Sequence, residues 1–174
     1  KEKGAIFFSM RGSNFDWLYR RRAPNANLEF RDFSLKLNHK INNRNRIYFT
    51  AILGYDDFTN RPPGGTMAGI RWGNFAATLR WNHIFGPKLF SNTTIYTGSY
   101  DYRLFSPPNS WRSSLGTLSL KSDFTHYANA RLTARFGLES QGYFINPGSV
   151  TTDTTVAIFP TIEPNYTRKL SLYY

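Results

Sequence analysis

Gly73-Asn74-Phe75-Ala76-Ala77-Thr78-Leu79-Arg80-Trp81-Asn82-His83-Ile84-Phe85 decides the fold class. Phe75, Ala77, Leu79, Trp81, His83 and Phe85 lie on one side of an extended chain, and Asn74, Ala76, Thr78, Arg80 and Asn82 on the other. A period of two gives a strand with one apolar and one wet face, whereas a helix needs apolar residues three and four apart. The pattern recurs on both sides. In 28–41, Phe33, Leu35, Leu37 and Ile41 oppose Ser34, Lys36, Asn38 and Lys40. In 131–145, Leu132, Ala134, Phe136, Leu138 and Phe144 oppose Arg131, Thr133, Arg135, Glu139 and Gln141.

Turn residues separate such segments and predict strands over 4–12, 28–41, 46–58, 73–85, 89–103, 112–124, 131–145 and 165–174. The expected class is all-β: an antiparallel meander of about eight long strands. Residues 13–27, 59–72, 104–111 and 146–164 read as long Pro/Gly/Asn/Ser-rich loops. Asn42-Asn43-Arg44-Asn45, Gly86-Pro87-Lys88 and Tyr127-Ala128-Asn129-Ala130 read as tight turns. Alternating long and short connections are what a transmembrane β-barrel shows, with short turns at one rim and longer loops at the other.

Hairpin partners must point the same way, which predicts three registers. Phe85 opposite Phe90 brings Phe75 opposite Tyr100. Ile41 opposite Ile47 brings Leu37 opposite Ala51 and Leu35 opposite Leu53. Phe124 opposite Leu132 brings Leu120 opposite Phe136. From Phe75 to Phe85 the chain climbs roughly 33 Å at about 3.3 Å per residue. Tilted by about 40°, that covers roughly the 25 Å apolar band of an outer-membrane barrel. Phe75, Trp81, Phe85, Phe90 and Tyr100 are therefore expected as its lipid-facing girdle.

The 174 residues include 17% aromatics, no cysteine and a net charge of +11. Without cysteine, disulfides and thiolate metal sites are excluded. No apolar run approaches the length of a membrane-spanning helix. The positive charge raises the question of nucleic acid, but most basic residues stand singly along strands, the one dense run being Arg20-Arg21-Arg22, and no nucleic-acid partner is expected. No catalytic constellation, cofactor motif or metal-ligand spacing is found, so no enzymatic activity is expected. His39, His83 and His126 fall in different segments without partners at ligand spacing. Asp56-Asp57 and Asp101 read as solvated rim carboxylates, and Pro62-Pro63-Gly64-Gly65 as a turn.

Two sets of residues remain as candidate sites. Lys36, Arg80, Lys121, Arg135 and Glu139 fall on the wet side of their strands and would line a substrate path or pack against a plug. Arg20-Arg21-Arg22, beside Trp17 and Tyr19 in the first loop, would grip lipopolysaccharide phosphate or an acidic ligand.

A soluble sandwich could use the same apolar stripe as its core, and eight strands could close into a small barrel. The residues argue for a third arrangement. Phe33-Ser34-Leu35-Lys36-Leu37-Asn38-His39-Lys40, Arg46-Ile47-Tyr48-Phe49, Trp72 through His83, and Lys88-Leu89-Phe90-Ser91-Asn92-Thr93-Thr94 resemble, in order and spacing, TonB-dependent receptors of the Bacteroidetes type. Asp123-Phe124-Thr125, Phe136-Gly137-Leu138 and Phe144-Ile145-Asn146-Pro147-Gly148 continue the resemblance over nearly the whole chain. In that family a carboxypeptidase-like regulatory domain and a plug precede a barrel of about 22 strands. The resemblance implies that residues 1–174 are an early, partial barrel, with the plug and remaining strands absent. It also implies a Gram-negative outer membrane, energy coupling through TonB and the plug, membrane lipid and lipopolysaccharide around the wall, and a surface-lipoprotein lid or larger outer-membrane complex as partner. The alternative function is a non-transporting barrel acting in adhesion or as a structural subunit.

Overall fold

The computed structural model describes residues 3–13, 21–152 and 165–173. Eight strands follow one another: β1 (Gly4–Gly12), β2 (Ala26–Lys40), β3 (Asn45–Asn60), β4 (Ala68–Gly86), β5 (Leu89–Ser106), β6 (Asn109–Asn129), β7 (Leu132–Thr152) and β8 (Asn165–Tyr173). They form one antiparallel sheet in sequence order, β1 to β8. Each pairs only with its chain neighbours, so β1 and β8 are open edges among the described residues.

All eight predicted strands are present, but most run further. β5 and β6 extend through the expected 104–111 loop and leave only Pro107-Pro108 between them. Two prolines fit there because neither position owes a ladder hydrogen bond. The alternation of long and short connections thus fails at this hairpin. The Pro62-Pro63-Gly64-Gly65 turn is present: Gly65 N–H donates to Pro62 O at 2.9 Å, and Gly64 has φ 69°. A positive φ at that third position favours glycine.

All three predicted registers need correction. Leu37 lies opposite Phe49 and Leu35 opposite Ala51, two places from expectation. Leu120 lies opposite Ser140, and Phe124 opposite Phe136. There β6 continues to Asn129, whose Oδ1 accepts from Arg131 N and Leu132 N, both at 2.9 Å, and so sets a later turn. These shifts are even, so the faces are preserved. The third is odd. Ile84 pairs with Phe90 and Gly86 with Leu89, leaving Phe85 in a bulge, so Phe75 meets Ser99 and Tyr100 meets Asn74. A one-residue slip turns every β5 side chain over. Phe90 and Tyr100 therefore sit on the face opposite Phe75 and Trp81, and the expected girdle is divided.

Two adjacent rows of cross-strand partners display the two faces. One runs Ile6–Leu37–Phe49–Leu79–Ile95–Leu120–Ser140–Leu170 across all eight strands. The next runs Ala5–Asn38–Tyr48–Arg80–Thr94–Lys121–Glu139–Ser171. The first row is apolar but for Ser140, and the second is polar but for Ala5.

Neither face is covered by any of the described residues. Phe105 is the single buried apolar side chain among the described residues, while Leu79, Leu118, Leu120, Phe136 and Leu170 are all exposed. The accessible surface is 13055 Å² for a 20.1 kDa chain, against roughly 8,700 Å² for a globular monomer of that mass. A two-layer sandwich core is absent among the described residues.

Candidate functional site

The apolar face has a defined extent. Toward the tight turns it ends in a run of rings: Trp81 and His83 with centroids 5.2 Å apart, His83 and Phe85 at 4.4 Å, Phe85 and Phe124 at 6.4 Å, and Phe124 and Phe136 at 5.3 Å. Asn45 Oδ1 fixes two of them, accepting from Trp81 Nε1 at 2.9 Å and lying 2.7 Å from His83 Nδ1. Toward the other rim it ends in a second set, with Phe8 edge-on to Phe33 at 5.2 Å and Phe144 against Tyr166 at 4.9 Å. Between them the face is mostly aliphatic, with Phe49, Thr97, Ser140 and Arg168 also on it. Among the expected girdle residues, Phe75, Trp81 and Phe85 share this face; Phe90 instead stacks on Tyr127 on the polar face, at 6.2 Å.

One row beyond Phe33, Leu53 and Phe75, the same face becomes charged. Arg31, Tyr55 and Asp101 occupy the first row, and Glu29, Asp57, Arg71, Arg103 and Arg112 the second. Asp57 is 8% exposed and takes Arg71 Nε at 2.7 Å, so it is not the solvated carboxylate expected. Asp56 points to the opposite face, because neighbours in a strand diverge. The two cannot hold one ion, and among the described residues no three His, Asp or Glu side chains are grouped for a metal.

Lys36, Arg80, Lys121, Arg135 and Glu139 all share the polar face. Lys121 and Glu139 are directly opposite, and Arg80 lies in the same row with Thr94 between it and Lys121. Lys121 Nζ lies 3.6 Å from Asp123 Oδ1 and 5.0 Å from the Tyr173 ring centroid, while Tyr173 Oη donates to that same carboxylate. Lys36, Arg80 and Arg135 are exposed and have no carboxylate within 4 Å among the described residues. Arg21 and Arg22 are exposed; Arg20, with Trp17 and Tyr19, lies outside the described residues.

No helix among the described residues is long and apolar enough to cross a membrane, which says nothing about strands. No family model matches the chain, and no curated relative is found for it.

Sequence reading missed the arginines of the charged row and the Tyr173–Asp123–Lys121 cluster. Arg71 and Arg103 fell at or inside presumed loop margins, and strand partners far apart in the chain are invisible without the register. The apolar-side position of Arg103 and Arg112, at even steps from Ile95 and Leu120, was the available signal.

Proposed function

We propose that this chain is part of the wall of an outer-membrane importer in a Gram-negative bacterium, resembling a TonB-dependent transporter for a nutrient such as a glycan, a peptide or chelated iron. The observation that carries the reading is the apolar face, bounded by rings at both ends, which the described residues leave uncovered and without a core. Lipid tails satisfy such a face without a second protein layer. The open edges of β1 and β8 need strand partners in lipid, and the resemblance assigns these to further strands of a barrel of about 22.

In this reading the polar face lines a plugged, water-filled interior. Lys36, Arg80 and Arg135 meet the plug or the passing substrate, and TonB acts on the plug. A surface lipoprotein would close the outer mouth. The chain supplies wall and rim and carries out no chemical reaction.

Deletion of the gene tests the reading through growth on single nutrient sources. Loss of growth on one nutrient class, restored by the intact gene, is the expected result. Unaltered growth on every class, with the protein still in the outer membrane, would favour an adhesive or structural barrel. Replacing Arg80 and Arg135 by Ala should slow uptake of that nutrient; unchanged uptake excludes their direct role.

A further inference from the structure

The charged row on the apolar face contains an arrangement that a bare sheet does not favour. Arg71 on β4, Arg103 on β5 and Arg112 on β6 are consecutive cross-strand partners. Directly opposed side chains of like charge repel. Two contacts hold this ladder in place. The Phe105 ring lies beneath two of the guanidinium groups, with Arg71 Cζ 5.0 Å and Arg103 Cζ 5.8 Å from its centroid. That ring fits because residue 69 is glycine: a Cβ there would stand 2.9 Å from Phe105 Cζ. Carboxylates compensate only in part. Asp57 holds Arg71 at 2.7 Å, Asp101 lies 3.6 Å from Arg112 with both side chains more than half exposed, and Arg103 has no carboxylate within 4 Å among the described residues.

Beside the ladder is a cleft of about 510 Å³ lined by Arg103, Arg112, Ser110, Ser114, Asn146 and Thr151. Every lining side chain is polar and none is acidic. Asn146, one of the lining residues, has a buried Oδ1 without a hydrogen-bond partner. Two guanidinium forks suit a phosphate, and the hydroxyls of Ser110, Ser114 and Thr151 suit sugar hydroxyls. The cleft opens on the apolar face, one strand row past its aromatic boundary, where a lipid headgroup lies when tails cover that face.

We infer that the Arg71–Arg103–Arg112 ladder and its cleft bind the phosphorylated saccharide headgroup of an outer-leaflet lipid. This rests on the proposed membrane orientation of the apolar face. The site differs from the arginine run at 20–22, being built from cross-strand register rather than from consecutive residues.

The test uses the intact gene product, purified in detergent and stripped of lipid, titrated separately with lipopolysaccharide, its dephosphorylated form and inorganic phosphate. The R103Q/R112Q double variant should bind lipopolysaccharide at least about tenfold more weakly, as expected for lost charge-assisted hydrogen bonds. R46Q, on the polar face near the tight turns, should bind as the parent does. Dephosphorylation should weaken binding to the parent by a similar factor. Equal binding by R103Q/R112Q and the parent overturns the inference, and so does inorganic phosphate binding as tightly as the lipid. Bilayer quenching of a label at position 79 keeps the outcomes separate. A quenched label with unaffected lipid binding sinks only this site; an unquenched label sinks the membrane orientation beneath it.

Discussion

Arg71 and Arg103 face each other across β4 and β5, and both guanidinium groups lie over the Phe105 ring, the only apolar side chain buried among the described residues. Among the described residues, whose sheet has no core, this is the closest approach to three-dimensional packing, and it occurs where the apolar face gives way to charge. Phe105→Ala removes the ring and both cation–π contacts. The change should cost about 2–3 kcal/mol locally, read as faster amide hydrogen exchange through 103–112, with exchange near Leu79 unaltered.

Asp57 and Asp32 both pair with arginine in very different surroundings. Asp57 is 8% exposed, whereas the Arg11–Asp32 pair has side chains 75% and 35% exposed. Asp57→Ala strands a half-buried Arg71 and should destabilise by roughly 1–3 kcal/mol. Asp32→Ala should stay within about 0.5 kcal/mol. Denaturant midpoints of the intact gene product in detergent compare the two; equal effects would contradict the assigned environments.

Leu118 and Thr78 occupy opposite faces at mid-strand. Leu118 is 54% exposed on the bare sheet. In water an arginine there would be nearly neutral. In a bilayer Leu118→Arg should cost about 2–4 kcal/mol, as for a lipid-facing midplane position. Thr78→Arg should cost far less. Folding yield into lipid vesicles measures both.

How much was legible follows from what each feature depends on. β4 could be read because its alternation is unbroken from Phe75 to His83, a local property. The five charged residues share a face because each is read from the alternation of its own strand and none lies on β5, the strand with the odd register shift. Phe90 and Tyr100 were misplaced because one bulged residue, Phe85, inverted β5 relative to β4. The apolar alternation gave no warning: β5 carries Phe90, Tyr96, Gly98 and Tyr100 on one side and mainly Ser and Thr around Ile95 on the other, and neither set is plainly apolar. The β5–β6 loop was overestimated because Ser106-Pro107-Pro108-Asn109-Ser110 has loop composition while Ser106 and Asn109 are already paired. The arginine ladder needed three strands in register, which no single segment contains.

In the proposed orientation the Leu79 side of the sheet meets lipid and the Arg80 side meets water. Single cysteines at 78, 79, 94 and 120, introduced into a cysteine-free background of the intact gene product, carry an environment-sensitive fluorophore in bilayers containing brominated lipid. Labels at 79 and 120 should be strongly quenched, and labels at 78 and 94 should not. Equal quenching at all four positions, or labels at 79 and 120 shielded inside protein, would contradict the account.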